Sequence, residues 1–259
     1  MGQRSQLQSF AKIKQILEKG EFSSFREGVV RLTRGIGTLG VDTYLRYQEV
    51  ARLIIPDFVL DVGAGGRSQL LLHRPNIKVV SLDLKSKRGV DVVADTRFLP
   101  FREKCFQTVI AVDMLEHLNE SSREKAIMEM TRVANRRILV HMPLQDSKDH
   151  FLGKEYDSRF SIWHKRAFGK PEKNVEEHLI WNYWSPNTLK AHKFELRGSR
   201  NTRVWIISMV TAYGFFFPLG TLPAWILYGL FLRWLDQKPP YWGALASMDL
   251  KSTHASLIL

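Results

Sequence analysis

The sequence predicts an α/β fold: a Rossmann-like, doubly wound, mostly parallel sheet of seven strands. Two observations carry that reading. Short runs rich in Val, Ile and Leu alternate with helical or turn segments from residue 58 onward, and several of those runs end in a polar residue. Alternation of this kind builds parallel strands joined by crossover helices, which leave the strands' carboxyl ends on one ligand-binding edge.

The strands are expected at Phe58–Val62, Lys78–Leu82, Val90–Ala94, Thr108–Val112 and Arg137–His141, with a sixth over 194–202 and a seventh over 241–251. Helices are expected over 66–73 and 121–134, the second with Ser121 and Ser122 as its N-terminal cap, and after Ser185-Pro186. Leu7, Phe10, Ile13, Ile16 and Leu17 repeat at helical spacing, and 41–55 is helical again, so residues 1–52 read as a helical N-terminal cap. The sheet domain then spans 53–203 with an insert at 144–185. An apolar segment follows at 204–235, and a closing strand and tail at 236–259.

Composition narrows the partners. The 38 Lys and Arg against 26 Asp and Glu give a net charge of +12, which favours an anionic neighbour such as nucleic acid or anionic lipid. The excess is densest over 151–203, and no dedicated basic tail carries it. A single cysteine, Cys105, rules out an internal disulfide and a multi-cysteine metal site, so a reducing compartment fits and no metal is expected. The first twenty residues lack the apolar core of a secretory signal.

Residues 204–232 run 29 positions without a charge. One unbroken helix of that length would measure about 43 Å, against about 30 Å of hydrocarbon. Pro218, Gly220 and Pro223 interrupt it, leaving halves of about 21 Å, too short to cross alone. Arg200 and Arg203 before it and Arg233 and Lys238 after it place both ends on one anionic, cytoplasmic face. A helical hairpin dipping into one leaflet is the favoured reading, with Trp205, Trp225 and Trp234 as candidate interface anchors. A buried or oligomer-forming hairpin and a spanning helix are the alternatives.

The chemistry begins at Leu60-Asp61-Val62-Gly63-Ala64-Gly65-Gly66, where a buried strand breaks into glycines that let backbone N–H groups approach a ligand. Strand two ends in Asp83, 22 residues after Asp61, the place where a carboxylate accepts from ribose hydroxyls. Strand three ends in Asp95-Thr96 before Leu99-Pro100-Phe101, and strand four runs into Asp113-Met114-Leu115-Glu116-His117. A capping role is the competing reading for each acid. A nicotinamide dehydrogenase fits poorly, because the turn lacks a clean Gly-x-Gly-x-x-Gly and Asp95 and Glu116-His117 are left unexplained.

These four motifs in order resemble class I S-adenosylmethionine-dependent methyltransferases of the small-molecule type, over residues 58–143. The likeness implies S-adenosylmethionine as cofactor. Asp61, Gly63, Ala64 and Gly65 would face its methionine end, Asp83 the ribose, and Asp95 with Thr96 the adenine amino group. Leu84 and Arg97 would flank the base, and Asp113 completes the cofactor set. Gly66-Arg67 departs from the usual third spaced glycine or hydroxyl residue, which affects the loop contacts. Methyl transfer needs alignment and, for a hydroxyl acceptor, a base. His117 and Glu116 are the candidates, with His141 at the end of strand five as a second histidine.

The acceptor is the open question. The chain lacks the Asn/Asp-Pro-Pro-Tyr/Phe motif of base-amino methyltransferases, which disfavours nucleic acid. Beyond 143 it is similar, more loosely, to bacterial methyltransferases of cell-surface polysaccharide and lipid-linked glycan synthesis. The likeness rests on Trp163-His164-Lys165-Arg166 through Glu177-His178-Leu179 and on Pro239-Pro240-Tyr241. It implies a small-molecule, glycan or lipid-linked acceptor at the membrane surface, with His164, His178 and Tyr156 lining its pocket. A quinone or other lipid methyltransferase, an RNA methyltransferase and a non-catalytic cofactor-binding scaffold remain alternatives. A homo-oligomer is compatible with all of them.

Overall fold

The computed structural model describes residues 41–146, 148, 150–214 and 225–250. Seven strands form one sheet in the order β3-β2-β1-β4-β5-β7-β6. They are β1 (Phe58–Val62), β2 (Lys78–Asp83), β3 (Val92–Val93), β4 (Phe106–Val112), β5 (Ala134–Pro143), β6 (Glu195–Asn201) and β7 (Tyr241–Asp249). Strands β1 to β5 pair in parallel, while β7 runs antiparallel between β5 and β6. The expected seven-stranded, mostly parallel sheet is present.

Both faces of the sheet are covered, and β4 shows why its sequence is continuously apolar. Val109 and Ala111 enter one core with Ala126, Ile127, Met130 and Val133 of α3 (Glu120–Val133) and Leu189 of α6 (Pro186–Ala191). Ile110 and Val112 enter the other core with Tyr47, Val50 and Ala51 of α1 (Val41–Leu53) and Leu70 of α2 (Leu70–His73). Successive side chains of a strand point to opposite faces, so a sheet buried on both sides needs apolar residues at every position.

The helices differ from expectation in three places. α2 begins only at Leu70, because Ser68 is engaged elsewhere: its N–H donates to Ser81 Oγ and its hydroxyl to Asp61. α3 is capped by Asn119, whose side chain accepts from the Ser122 N–H, so Ser121 and Ser122 lie inside the helix. The insert holds two helices, α4 (Gly153–Phe168) and α5 (Lys173–Ile180).

Residues 1–40 and 215–224, with most of the N-terminal cap and the proline-containing break of the expected hairpin, lie outside the described residues. The first limb is α7 (Thr202–Gly214), and it starts as protein core: Val204 packs against Val41, Leu45 and Tyr228. Trp205 is buried and stacks on Trp242 with ring centroids 5.3 Å apart, so it is no interface anchor. Trp225 meets Tyr44 edge to face, and Trp234 is exposed. Among the described residues no helix is long and apolar enough to cross a membrane.

Candidate functional site

The loop after β1 is shaped by backbone geometry. Gly63 has φ +75°, and a Cβ there would meet Met114 Cγ at 2.2 Å, so the close approach of β1 and β4 requires glycine. Gly65 has φ +68° with open space where its Cβ would point. The N–H groups of Gly63 and Ala64 donate to Leu82 O at 2.8 and 3.0 Å, so these two residues tie the loop to β2. The N–H of Gly65 donates to Asp83 Oδ2 at 2.8 Å, and the N–H of Lys85 to Asp83 Oδ1 at 2.9 Å. Asp83 is therefore fixed at the loop's rim, and Leu84 beside it presents an exposed apolar side chain.

Asp61 sits beneath the loop, fully buried, and accepts from Ser68 Oγ at 2.5 Å and Tyr47 OH at 3.2 Å. Its role here is to brace the loop from below. Burial lifts its carboxyl to about 7, against the opposing pull of the two hydroxyls. Asp95 receives Arg97 in a bidentate pair at 2.5 to 3.0 Å, which holds its carboxyl below the usual range. Thr96 is buried beside it.

Two expected site residues, His141 and Asp113, are partners of each other. His141 is completely enclosed, with Nδ1 3.3 Å from Asp113 Oδ1 and Nε2 2.9 Å from Ser199 Oγ. With both nitrogens engaged and no exposed surface, it cannot meet an acceptor, which corrects the expectation of a second base. Asp113 gives Oδ1 to His141 and Oδ2 to the Arg46 guanidinium, and the Arg46 charge keeps it ionised well below the usual range. The network continues from Ser199 to Glu49 at 2.7 Å, and from Glu49 through Arg200 to Asp236.

A second cluster of polar side chains is built around a 3-10 turn, Leu115–His117, that follows β4. Buried Arg123 of α3 fixes this turn by donating to Leu115 O at 2.8 Å and Glu116 O at 3.1 Å, and it reaches Asn182 O as well. The Glu116 side chain is buried, neither carboxylate oxygen has a hydrogen-bond partner, and burial lifts its carboxyl to about 8. His117 Nε2 lies 3.3 Å from His178 Nε2. His178 in turn presents Nδ1 to Asp157 Oδ2 at 3.1 Å. Asp157 also receives Tyr183 OH at 2.5 Å and Trp242 Nε1 at 2.7 Å.

Of the three residues expected to line the acceptor pocket, only His178 joins this group. His164 lies seven residues beyond Asp157 on α4, about 10 Å along the helix. Its ring packs against Phe160, Phe168 and Tyr213, with Nδ1 on Lys170 O, which makes it a core histidine. Tyr156 packs partly buried under Arg159, whose guanidinium lies 4.9 Å from its ring. Asp157, Arg123 and Arg46 had only one signal in the sequence, a charged residue on the buried face of a helix, and Tyr183, in the segment between two helices, had none.

Residues 60–137, 78 of the chain's 259, match the family described as "Methyltransferase domain". A S-adenosylmethionine-dependent methyltransferase from Archaeoglobus fulgidus has the same fold at 13% identity and TM-score 0.51, over 80% of this chain and 93% of that one. A S-adenosylmethionine-dependent methyltransferase from Thermotoga maritima is similar at 17% identity and TM-score 0.48, over 89% of this chain and 98% of that one. A Pyrococcus horikoshii protein is similar at 20% identity and TM-score 0.33; the match covers 41% of this chain and about half, 54%, of that one. No curated protein matches the sequence significantly. Residues 60–137 are thus similar to a methyltransferase domain, and the sheet around them has the fold of a S-adenosylmethionine-dependent methyltransferase. The residues present fit that cofactor, since Gly65 leaves open a cradle that a side chain would fill and Asp83 stands fixed at its rim.

Proposed function

We propose that the protein transfers a methyl group from S-adenosylmethionine to a small-molecule, glycan or lipid-linked acceptor at an anionic membrane surface. The observation that carries the acceptor site is the group of buried Glu116 and His178 with half-buried His117, one strand along the sheet edge from the glycine loop. The cofactor supplies an electrophilic methyl on a sulfonium. Asp83 offers carboxylate oxygens to ribose hydroxyls, and Gly65 leaves room for close backbone approach. His117, partly exposed, receives the acceptor's proton, and His178, anchored by Asp157, stabilises the charge behind it.

Surface chemistry supports the membrane location. Ile226, Leu230, Phe231 and Trp234 are 54 to 70% exposed, and Arg233 and Lys238 stand among them. Leu230, Phe231, Trp234 and both cations line a groove of about 600 Å³. Exposed apolar side chains beside cations suit acyl chains beneath phosphate headgroups.

Incubation of the protein and labelled S-adenosylmethionine with membrane extracts tests the reading. Wild type should label an extractable product, and His117→Ala should lower the rate by about 10²- to 10⁴-fold. Equal labelling by wild type and His117→Ala would remove the assigned base, and no labelled product in any extract would contradict the acceptor class.

A further inference from the structure

The two facing imidazoles pose a chemical problem that proton transfer does not exhaust. His117 Nε2 and His178 Nε2 stand 3.3 Å apart, and each ring has a carboxylate at its other nitrogen. Asp157 Oδ2 lies 3.1 Å from His178 Nδ1, and Glu177 Oε2 lies 3.2 Å from His117 Nδ1. The Asp157 carboxylate draws the His178 proton to Nδ1 and leaves a lone pair on Nε2, aimed at His117 Nε2. A cation between the two nitrogens would take both as ligands.

Glu116 supplies a third donor. It is 2% exposed, both its oxygens lack hydrogen-bond partners, and Oε1 lies 3.9 Å from His178 Nε2. One donor atom from each of the three residues falls within 4.8 Å of the others. In a tetrahedral zinc site with metal to nitrogen distances of about 2.0–2.1 Å, two imidazole nitrogens stand about 3.3–3.4 Å apart. The separation seen here is the one such a site needs.

We propose that Glu116, His117 and His178 bind one divalent transition-metal cation, zinc by donor set, with Asp157 and Glu177 as the outer carboxylates. Two imidazoles and one carboxylate suit zinc better than magnesium, which takes oxygen and water. Three protein donors leave a fourth position for an oxygen of the acceptor; this last point rests on the acceptor-site reading above, whereas metal binding itself does not. In the bound form the cation occupies the space between the two rings and ligates the acceptor's hydroxyl oxygen, lowering its pKa so that the proton leaves to solvent and His117 serves there as a ligand in place of a base.

Untagged protein stripped with a chelator and titrated calorimetrically with zinc chloride tests the proposal, with cobalt chloride as the spectroscopic probe. One cation per chain and the visible bands of tetrahedral cobalt are expected. His178→Ala and Glu116→Gln should each weaken zinc by about a hundredfold or more, and Asp157→Asn by about ten- to a hundredfold. Circular dichroism checks the fold, and near-isosteric Glu116→Gln serves if His178→Ala unfolds. Absence of stoichiometric binding by wild type, or unchanged zinc affinity in folded Glu116→Gln, would overturn the proposal and leave a shared proton between the rings. S-adenosylmethionine affinity measured on the same samples separates the two readings, because its failure with intact zinc binding strikes only at the methyltransferase reading.

Discussion

Asp61 concentrates the residue-scale physics of the glycine loop. Its carboxyl is raised to about 7 by burial, so the native state holds a proton that the unfolded chain releases near 3.8. For a group raised in this way, its contribution to stability is fully present below about pH 4 and is lost as pH rises through about 7. Urea midpoints measured from pH 4 to 8 should therefore fall less with pH in Asp61→Asn than in wild type. A parallel decline in both would show that another group carries it. Arg46 presents the opposite case, since removing it leaves the buried carboxylate of Asp42, and the half-buried one of Asp113, without their countercharge. Arg46→Met should cost about 3–5 kcal/mol in the same assay. Asp83 and Gly65 were legible in the sequence because their spacing within one βαβ unit is local. His141 was misread because its strand-end position says nothing of Asp113 and Ser199, which close over it from β4 and β6.

At the scale of elements, the 3-10 turn after β4 depends on one arginine. Arg123 satisfies carbonyls of Leu115, Glu116 and Asn182, joining the turn to the segment after α5. Arg123→Met should destabilise the fold by about 2–4 kcal/mol through those buried carbonyls. It should also lower methyl transfer by loosening Glu116 and His117; denaturation and single-turnover rates read the two effects separately. Strands β1, β2 and β4 were legible as short apolar runs, whereas β3 contracts to two residues at the sheet's edge, where one partner strand supports it, and β6 reads Glu-Leu-Arg-Gly-Ser-Arg-Asn, with little apolar character to mark it. The insert was legible in composition only. That α4 brings Asp157 and α5 brings His178 to one point depends on how the two helices pack, which no local pattern encodes.

For the whole molecule, a doubly covered sheet places the glycine loop and the histidine group along one edge, while the exposed apolar patch at 226–234 faces solvent. Flotation with anionic vesicles should carry wild type upward. Leu230→Ser combined with Phe231→Ser should abolish flotation without altering cofactor affinity, and retention of flotation would move the membrane contact elsewhere. The apolar segment at 204–232 and its flanking Arg233 and Lys238 were legible in the sequence, but that Ile226, Leu230, Phe231 and Trp234 stay exposed while Trp205 and Tyr228 are buried depends on packing. The most direct test of the central claim is calorimetry of S-adenosylmethionine and S-adenosylhomocysteine with wild type and Asp83→Ala. The account predicts one site per chain, weakened by about ten- to a hundredfold in the variant through loss of charge-assisted ribose hydrogen bonds. No binding by wild type, or equal affinity in Asp83→Ala, would contradict it.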